Sequence, residues 1–106
     1  MYARRVLLNL KDAKTAPELT ERLEKKIIPM LRNAQGFLDE ITFVSPGRTD
    51  ALAFSLWETK ANAEAYNRDT YPQVVKLLDG LLERAPQVET YEVANSTFHK
   101  IAAATV

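Results

Sequence analysis

The side chains that could do chemistry are few. Cysteine is absent, and His99 is the only histidine. Thiol catalysis, iron–sulfur clusters and thiolate metal sites are therefore excluded, and one histidine without a clustered carboxylate gives no metal-ligand spacing. His99 alone titrates near neutrality by default. It lies in a polar stretch with Asn95, Ser96 and Lys100, which reads as surface or a dimer edge rather than a general base. Three glycines form no phosphate-binding loop, and there is no nucleophile elbow. What remains is a set of neutral donors and aromatic rings, Asn9, Trp57, Tyr66 and Tyr71, with Arg5 as a cation. Such groups can hold a developing oxyanion, relay a proton and wall a pocket. Asn9 stands between Leu8 and Leu10, so its amide must be hydrogen-bonded or face a cavity. A pocket role and a strand-end role both meet that demand.

The elements that must position these residues follow from periodicity. Tyr2 to Lys11 is a short apolar run without alternation, as in a strand covered on both faces. Tyr2, Arg4, Val6, Leu8 and Leu10 share one face; Ala3, Arg5, Leu7, Asn9 and Lys11 share the other. Thr15-Ala16-Pro17-Glu18 reads as a capping box, followed by a helical stripe of Leu19, Leu23, Ile27, Met30, Leu31 and Ala34. Glu18 with Arg22, and Glu21 with Lys25, are i,i+4 pairs. Pro29 should kink or tighten the last turns, and Gly36 should stop the helix in a left-handed cap.

Strands follow at 37–45 and 51–58, joined by a hairpin through Ser45-Pro46-Gly47. In the third strand Leu52, Phe54 and Leu56 face one way, and Ala51, Ala53, Ser55 and Trp57 the other. The small residues of that second face favour a cavity. With regular pairing, Trp57 is expected on the face of Asn9. Thr59 caps a second helix carrying Tyr66. Thr70-Tyr71-Pro72-Gln73 repeats the capping pattern, so this helix breaks near Asp69 and restarts at Pro72. Val74, Val75, Leu78, Leu81 and Leu82 form the apolar face, Gly80 interrupts it and Pro86 ends it. A last strand is expected from Gln87 to Ile101, with a small tail over 102–106.

The order is β-α-β-β-α-β in one domain spanning 1–106. Fourteen basic residues balance fourteen acidic ones, which leaves no electrostatic footprint for nucleic acid or an anionic membrane. No apolar run approaches the roughly 20 residues of a membrane span. The expected location is cytoplasmic.

The element order, the Gly36-Phe37 junction and the stretch Ser55-Leu56-Trp57-Glu58-Thr59 leading to Ala65-Tyr66 together resemble the antibiotic biosynthesis monooxygenase domain, of the dimeric α+β barrel superfamily. The resemblance runs from about Tyr2 to about Val93. It implies an α+β, ferredoxin-like antiparallel sheet of order 4-1-3-2, helices on one face, and the sheet of a second copy on the other. A homodimer would explain a first strand that is apolar on both sides.

The superfamily includes heme-degrading enzymes that use an asparagine on strand one, a tryptophan on helix two and a histidine further along that helix. Asn9 matches the first position, Tyr66 falls at the second and Lys76 at the third. A protonated lysine cannot act as axial ligand in place of a neutral imidazole, so the departure points away from heme degradation.

The resemblance instead implies oxygenation of an aromatic or quinol-like compound without flavin, metal or heme. The substrate carries the chemistry: an electron-rich phenol loses a proton, and its anion passes an electron to oxygen. On this reading Asn9 and Tyr66 are catalytic, and Trp57, Tyr71 and Arg5 bind the substrate, although a packing role is the commoner one for each ring. The alternatives are a non-catalytic small-molecule-binding dimer, and a dimerisation module whose pocket its own side chains fill.

Overall fold

The computed structural model describes residues 1–98. The elements are β1 (Tyr2–Asn9), α1 (Thr15–Arg22), a π-helical turn (Leu23–Ile27), α2 (Ile28–Arg32), β2 (Phe37–Val44), β3 (Asp50–Trp57), α3 (Lys60–Asp69), α4 (Tyr71–Leu77) and β4 (Gln87–Glu92). The four strands form one antiparallel sheet of order β2-β3-β1-β4. The helices lie on one face. This is the ferredoxin-like α+β arrangement expected from the sequence, with the second helix divided as anticipated.

Pairing register fixes which residues share a face. Tyr2 opposes Trp57, Arg4 opposes Ser55, Val6 opposes Ala53 and Leu8 opposes Ala51. These residues meet the helices. Leu8, Leu10, Leu19 and Trp57 are the largest side chains to be fully buried. On the other face Ile41 and Phe43 remain exposed.

Several local expectations need correction. Thr15 is not the cap of α1. Asp12 fills that role, its Oδ1 accepting from the backbone N–H groups of Lys14 at 2.9 Å and Thr15 at 3.1 Å. Glu18 is instead drawn to Arg22, at 2.9 Å, and Glu21 pairs with Lys25 at 2.8 Å, as expected. Pro29 does not tighten its helix but follows a widened turn. The Ile28 N–H donates to the Leu23 carbonyl, five residues back. Proline has no N–H and its ring crowds the carbonyl four residues earlier, so the turn relaxes by slipping one residue.

Thr59 caps α3 as expected, accepting from the Asn62 N–H at 3.0 Å. Thr70 precedes α4 without a side-chain cap. Helix α4 ends at Leu77, so Gly80 and Pro86 lie beyond it, and Gly80 takes a positive φ of 85° in the following turn. Val75 is exposed rather than part of the apolar face. The last strand stops at Glu92, well short of Ile101; the expectations for His99 and for the tail lie outside the described residues.

Gly36 adopts φ +79°, and its carbonyl accepts from the Glu58 N–H at 2.8 Å, fastening the end of β3 to the start of β2. A Cβ there would lie 2.2 Å from Asn62 Oδ1 and 2.6 Å from Asn62 Cβ. Gly36→Ala should therefore lose about 2 kcal/mol or more in urea denaturation, since the left-handed backbone alone costs an L-residue about 1–2 kcal/mol. Gly47→Ala, whose Cβ would meet only Thr49 Oγ1 at 3.9 Å, is the control and should change little.

Candidate functional site

Arg4 is the centre of the helix-side face. It is an inward residue of a central strand, and helix α3 covers it. Its exposure is 2%. Its Nη2 donates to Asn67 Oδ1 at 2.8 Å. Its guanidinium carbon lies 4.9 Å from the centroid of the Tyr66 ring and 4.4 Å from that of Tyr71. None of the ion pairs among the described residues includes it. Burial pulls its pKa below the usual guanidinium value, and the two phenols partly offset this. A guanidinium nevertheless stays protonated. A dry cation without a carboxylate thus rests on two aromatic faces, where cation–π attraction replaces part of the lost hydration.

The rings form a chain. Phe37 meets Trp57 edge-on at 5.6 Å, Trp57 lies 4.8 Å from Tyr66, and Tyr66 lies 6.1 Å from Tyr71. Trp57 Nε1 donates to Ser55 Oγ at 2.9 Å. The Tyr71 hydroxyl is buried and interacts with the Arg4 guanidinium. Burial pushes the Tyr66 phenol up to about 12 and that of Tyr71 upward too, each moderated by Arg4.

Beneath these rings is a cavity of about 40 Å³ whose walls include Arg4, Glu40, Ala53, Ser55, Tyr66 and Tyr71. It has room for a few water molecules, each needing about 10–15 Å³, but not for a benzene ring, which occupies an engineered cavity of about 150 Å³. Glu40, on β2, is half-buried, accepts from the Thr42 hydroxyl, and burial raises its carboxyl pKa. On the open sheet face a depression of about 570 Å³ is lined by Asp39, Ile41, Phe43, Phe54, Leu56 and Phe98, and Glu40 borders it as well. Among the described residues no helix is long and apolar enough to cross a membrane, and no group of three or more His, Asp or Glu could hold a metal ion.

The sequence-based site is therefore only partly assembled. Tyr66 and Tyr71 line the cavity, and Trp57 backs Tyr66. Asn9 and Arg5 point to the opposite face. Asn9 opposes Asp50 and its Nδ2 donates to Asp50 Oδ1 at 2.9 Å, while its own Oδ1 is buried without a hydrogen-bond partner; Arg5 pairs with Glu89 on the neighbouring strand. Trp57 does not share the face of Asn9, because it opposes Tyr2, an even-numbered position, and side chains alternate along a strand. Sequence reasoning missed Arg4, Glu40, Ser55 and Asn67. The available signal was Arg4 in phase with Val6, Leu8 and Leu10.

No family model matches the chain, and no curated protein matches its sequence. Solved structures share its fold. A monooxygenase from the gene ActVA-Orf6 of Streptomyces coelicolor, in complex with the ligand nanaomycin D, has a TM-score of 0.77 at 16% identity, over 90% of this chain and 88% of that one. SnoaB, a cofactor-independent oxygenase from Streptomyces nogalater, has 0.70 at 10% identity, over 91% and 95%. A candidate antibiotic biosynthesis monooxygenase from Deinococcus radiodurans has 0.71 at 16% identity, over 91% and 95%. This chain thus has the fold of antibiotic biosynthesis monooxygenases; at such identities the likeness establishes fold alone.

Tyr66 holds its proton more tightly folded than unfolded. Its contribution to stability is complete below the unfolded value of about 10 and is lost as pH rises through about 12. Denaturant unfolding should show stability falling across that alkaline window, and Tyr66→Phe should flatten the fall. An equal slope in the variant would contradict this placement of the ring.

Proposed function

We propose that the protein is a cofactor-independent oxygenase of a small phenolic or quinol-like compound, acting at the helix-side face around Arg4. The observation that carries the reading is the buried, carboxylate-free guanidinium. Leaving a charge dry costs several kcal/mol, and an apolar residue of similar volume is often the more stable choice. An anionic ligand would use what folding leaves unsatisfied. Tyr66 and Tyr71 display the chemistry that fits there, since both are phenols packed on the guanidinium. The shared fold with a named cofactor-independent oxygenase supports the same reading.

The reaction asks little of the protein. The substrate hydroxyl loses its proton, and the anion passes one electron to dioxygen. The resulting radical pair forms a C–O bond, and loss of water from the hydroperoxide leaves a carbonyl. Arg4 stabilises the anion from which the electron leaves, in a site with little water. Tyr66 and Tyr71 orient the ring. Lys76 is exposed on α4, and a protonated lysine does not serve as a heme ligand.

A second reading is favoured by the size of the cavity. At about 40 Å³ it does not accept a ring until side chains move. Tyr71 opens the short α4 just after the break, and its displacement would free a phenol-sized space. If it does not move, the protein is a non-catalytic dimer with a filled core.

Oxygen consumption with a panel of anthrones and dihydroxynaphthalenes separates the two. The wild type should exceed the uncatalysed rate on at least one compound, and Arg4→Met should lower that rate roughly a hundredfold or more. The variant removes a buried charge without leaving its partner charged, so circular dichroism should show it folded. Activity in Arg4→Met equal to wild type would remove Arg4 from the site.

The open sheet face supports a homodimer. Ile41, at 44% exposure, and Phe43, at 52%, join Leu52, Phe54 and Leu56 in an apolar surface that this small domain cannot cover with its own helices. Light scattering at micromolar concentration should give about twice the chain mass. Phe43→Glu should shift it toward the monomer, and a wild-type monomer would refute the pairing.

A further inference from the structure

The cavity has a second unpaired charge, and it stands in line with the first. Arg4 on β1 opposes Ser55 on β3, and Ser55 opposes Glu40 on β2. The three form one cross-strand row on the helix side of the sheet, and all three line the same cavity. Two strand spacings put the ends of the row about 9–10 Å apart at the backbone. Arg4 and Glu40 do not pair with each other, and no ion pair among the described residues includes either. Opposite charges on two walls of one small cavity, with a hydroxyl between them, suit a ligand that carries a weakly acidic O–H.

We infer that Glu40 is the proton acceptor of this site, taking the hydroxyl proton of a phenol whose oxygen is held by Arg4. The inference rests on the reading of Arg4 as an anion site. The step balances within the complex. The phenol O–H bond breaks, the proton passes to Oε1 of Glu40, and the electron pair stays on the phenol oxygen beside the guanidinium. Nothing is oxidised or reduced. Oε2 of Glu40 already accepts from the Thr42 hydroxyl, which fixes the carboxylate and leaves Oε1 for the ligand. Burial raises the carboxyl pKa, which brings it nearer to that of a phenol and makes it a better acceptor than a solvated glutamate. Ser55 Oγ receives the Trp57 N–H, so its own hydroxyl proton can turn toward the ligand oxygen.

The test uses 4-nitrophenol, whose phenolate has its own visible band, with 4-nitroanisole as a probe that cannot ionise. The protein is buffered on the acid side of the free phenol's pKa. Wild type should bind both probes and turn the bound phenol to phenolate. Glu40→Gln should bind 4-nitroanisole as wild type does. In wild type each phenolate formed leaves its proton on Glu40, so little proton reaches the buffer; Glu40→Gln should release about one proton per phenolate formed, read by calorimetry in two buffers of different ionisation enthalpy. Glu40→Asp, with a shorter acceptor, should retain part of the proton. On any phenol that is turned over, Glu40→Gln should lower the rate roughly a hundredfold. A bystander carboxylate predicts the same proton release with or without it. Equal proton release from wild type and folded Glu40→Gln therefore overturns the inference while leaving the Arg4 site intact. Failure of wild type to bind 4-nitrophenol overturns both.

Discussion

The contact on which this face of the molecule depends is Arg4 against the rings of Tyr66 and Tyr71. A guanidinium in the middle of a central strand has to be reached from above by whatever replaces its water. Tyr66 and Tyr71 are five residues apart, so in one continuous helix their side chains would point about 140° away from each other. The interruption between α3 and α4 re-aims the second ring, and both then converge on one cation. Asn67, next to Tyr66, turns its amide oxygen to the same group. The helical break, which looks like an irregularity, is what lets two phenols share one charge.

The widened turn earlier in the chain acts on the same space. Leu23 and Ile27 open and close the π-helical turn ahead of Pro29, and both form part of the cavity wall. A one-residue slip rotates the following side chains relative to a regular helix, so this wall is set by a proline two residues beyond it. On the opposite wall the small side chains Ala53 and Ser55 keep the sheet surface low. The cavity arises where helices that cannot run regularly cross a strand stripped of bulk.

Much of the architecture was legible because its signals are local. Caps, prolines and the alternation of β3 gave the element order and the division between α3 and α4. The tyrosines of the site were legible, but its strand residues were not, for a reason particular to β1. Its two faces are both apolar, Val6 and Leu8 against Leu7, so periodicity could not say which meets the helices. That parity depends on register, and a one-residue difference exchanges every side chain. Reading it the other way paired Trp57 with Asn9 and chose Arg5, whereas the pairing of Tyr2 with Trp57 selects Arg4. Glu40 was lost similarly, as one polar residue in an edge strand whose neighbours were unknown. The overlong last strand had another cause: beyond Glu92 the apolar residues persist, but β1 begins at Tyr2, and after the Val93 N–H has met the Met1 carbonyl at 3.0 Å the strand runs out of partner.

The two faces of the sheet make opposite demands. The outer face carries exposed Ile41 and Phe43, which call for apolar surface laid against them. The inner face carries Arg4 and Glu40, which apolar contact would make worse. If stability were the sole constraint, the cheaper sequence would place methionine or leucine at the Arg4 position and spare the desolvation of a charge. Local rules broken without a compensating ion pair are the mark of a site rather than a core. On the proposed reading, that desolvation cost is relieved by a molecule whose acidic hydroxyl takes the place of the Tyr71 ring.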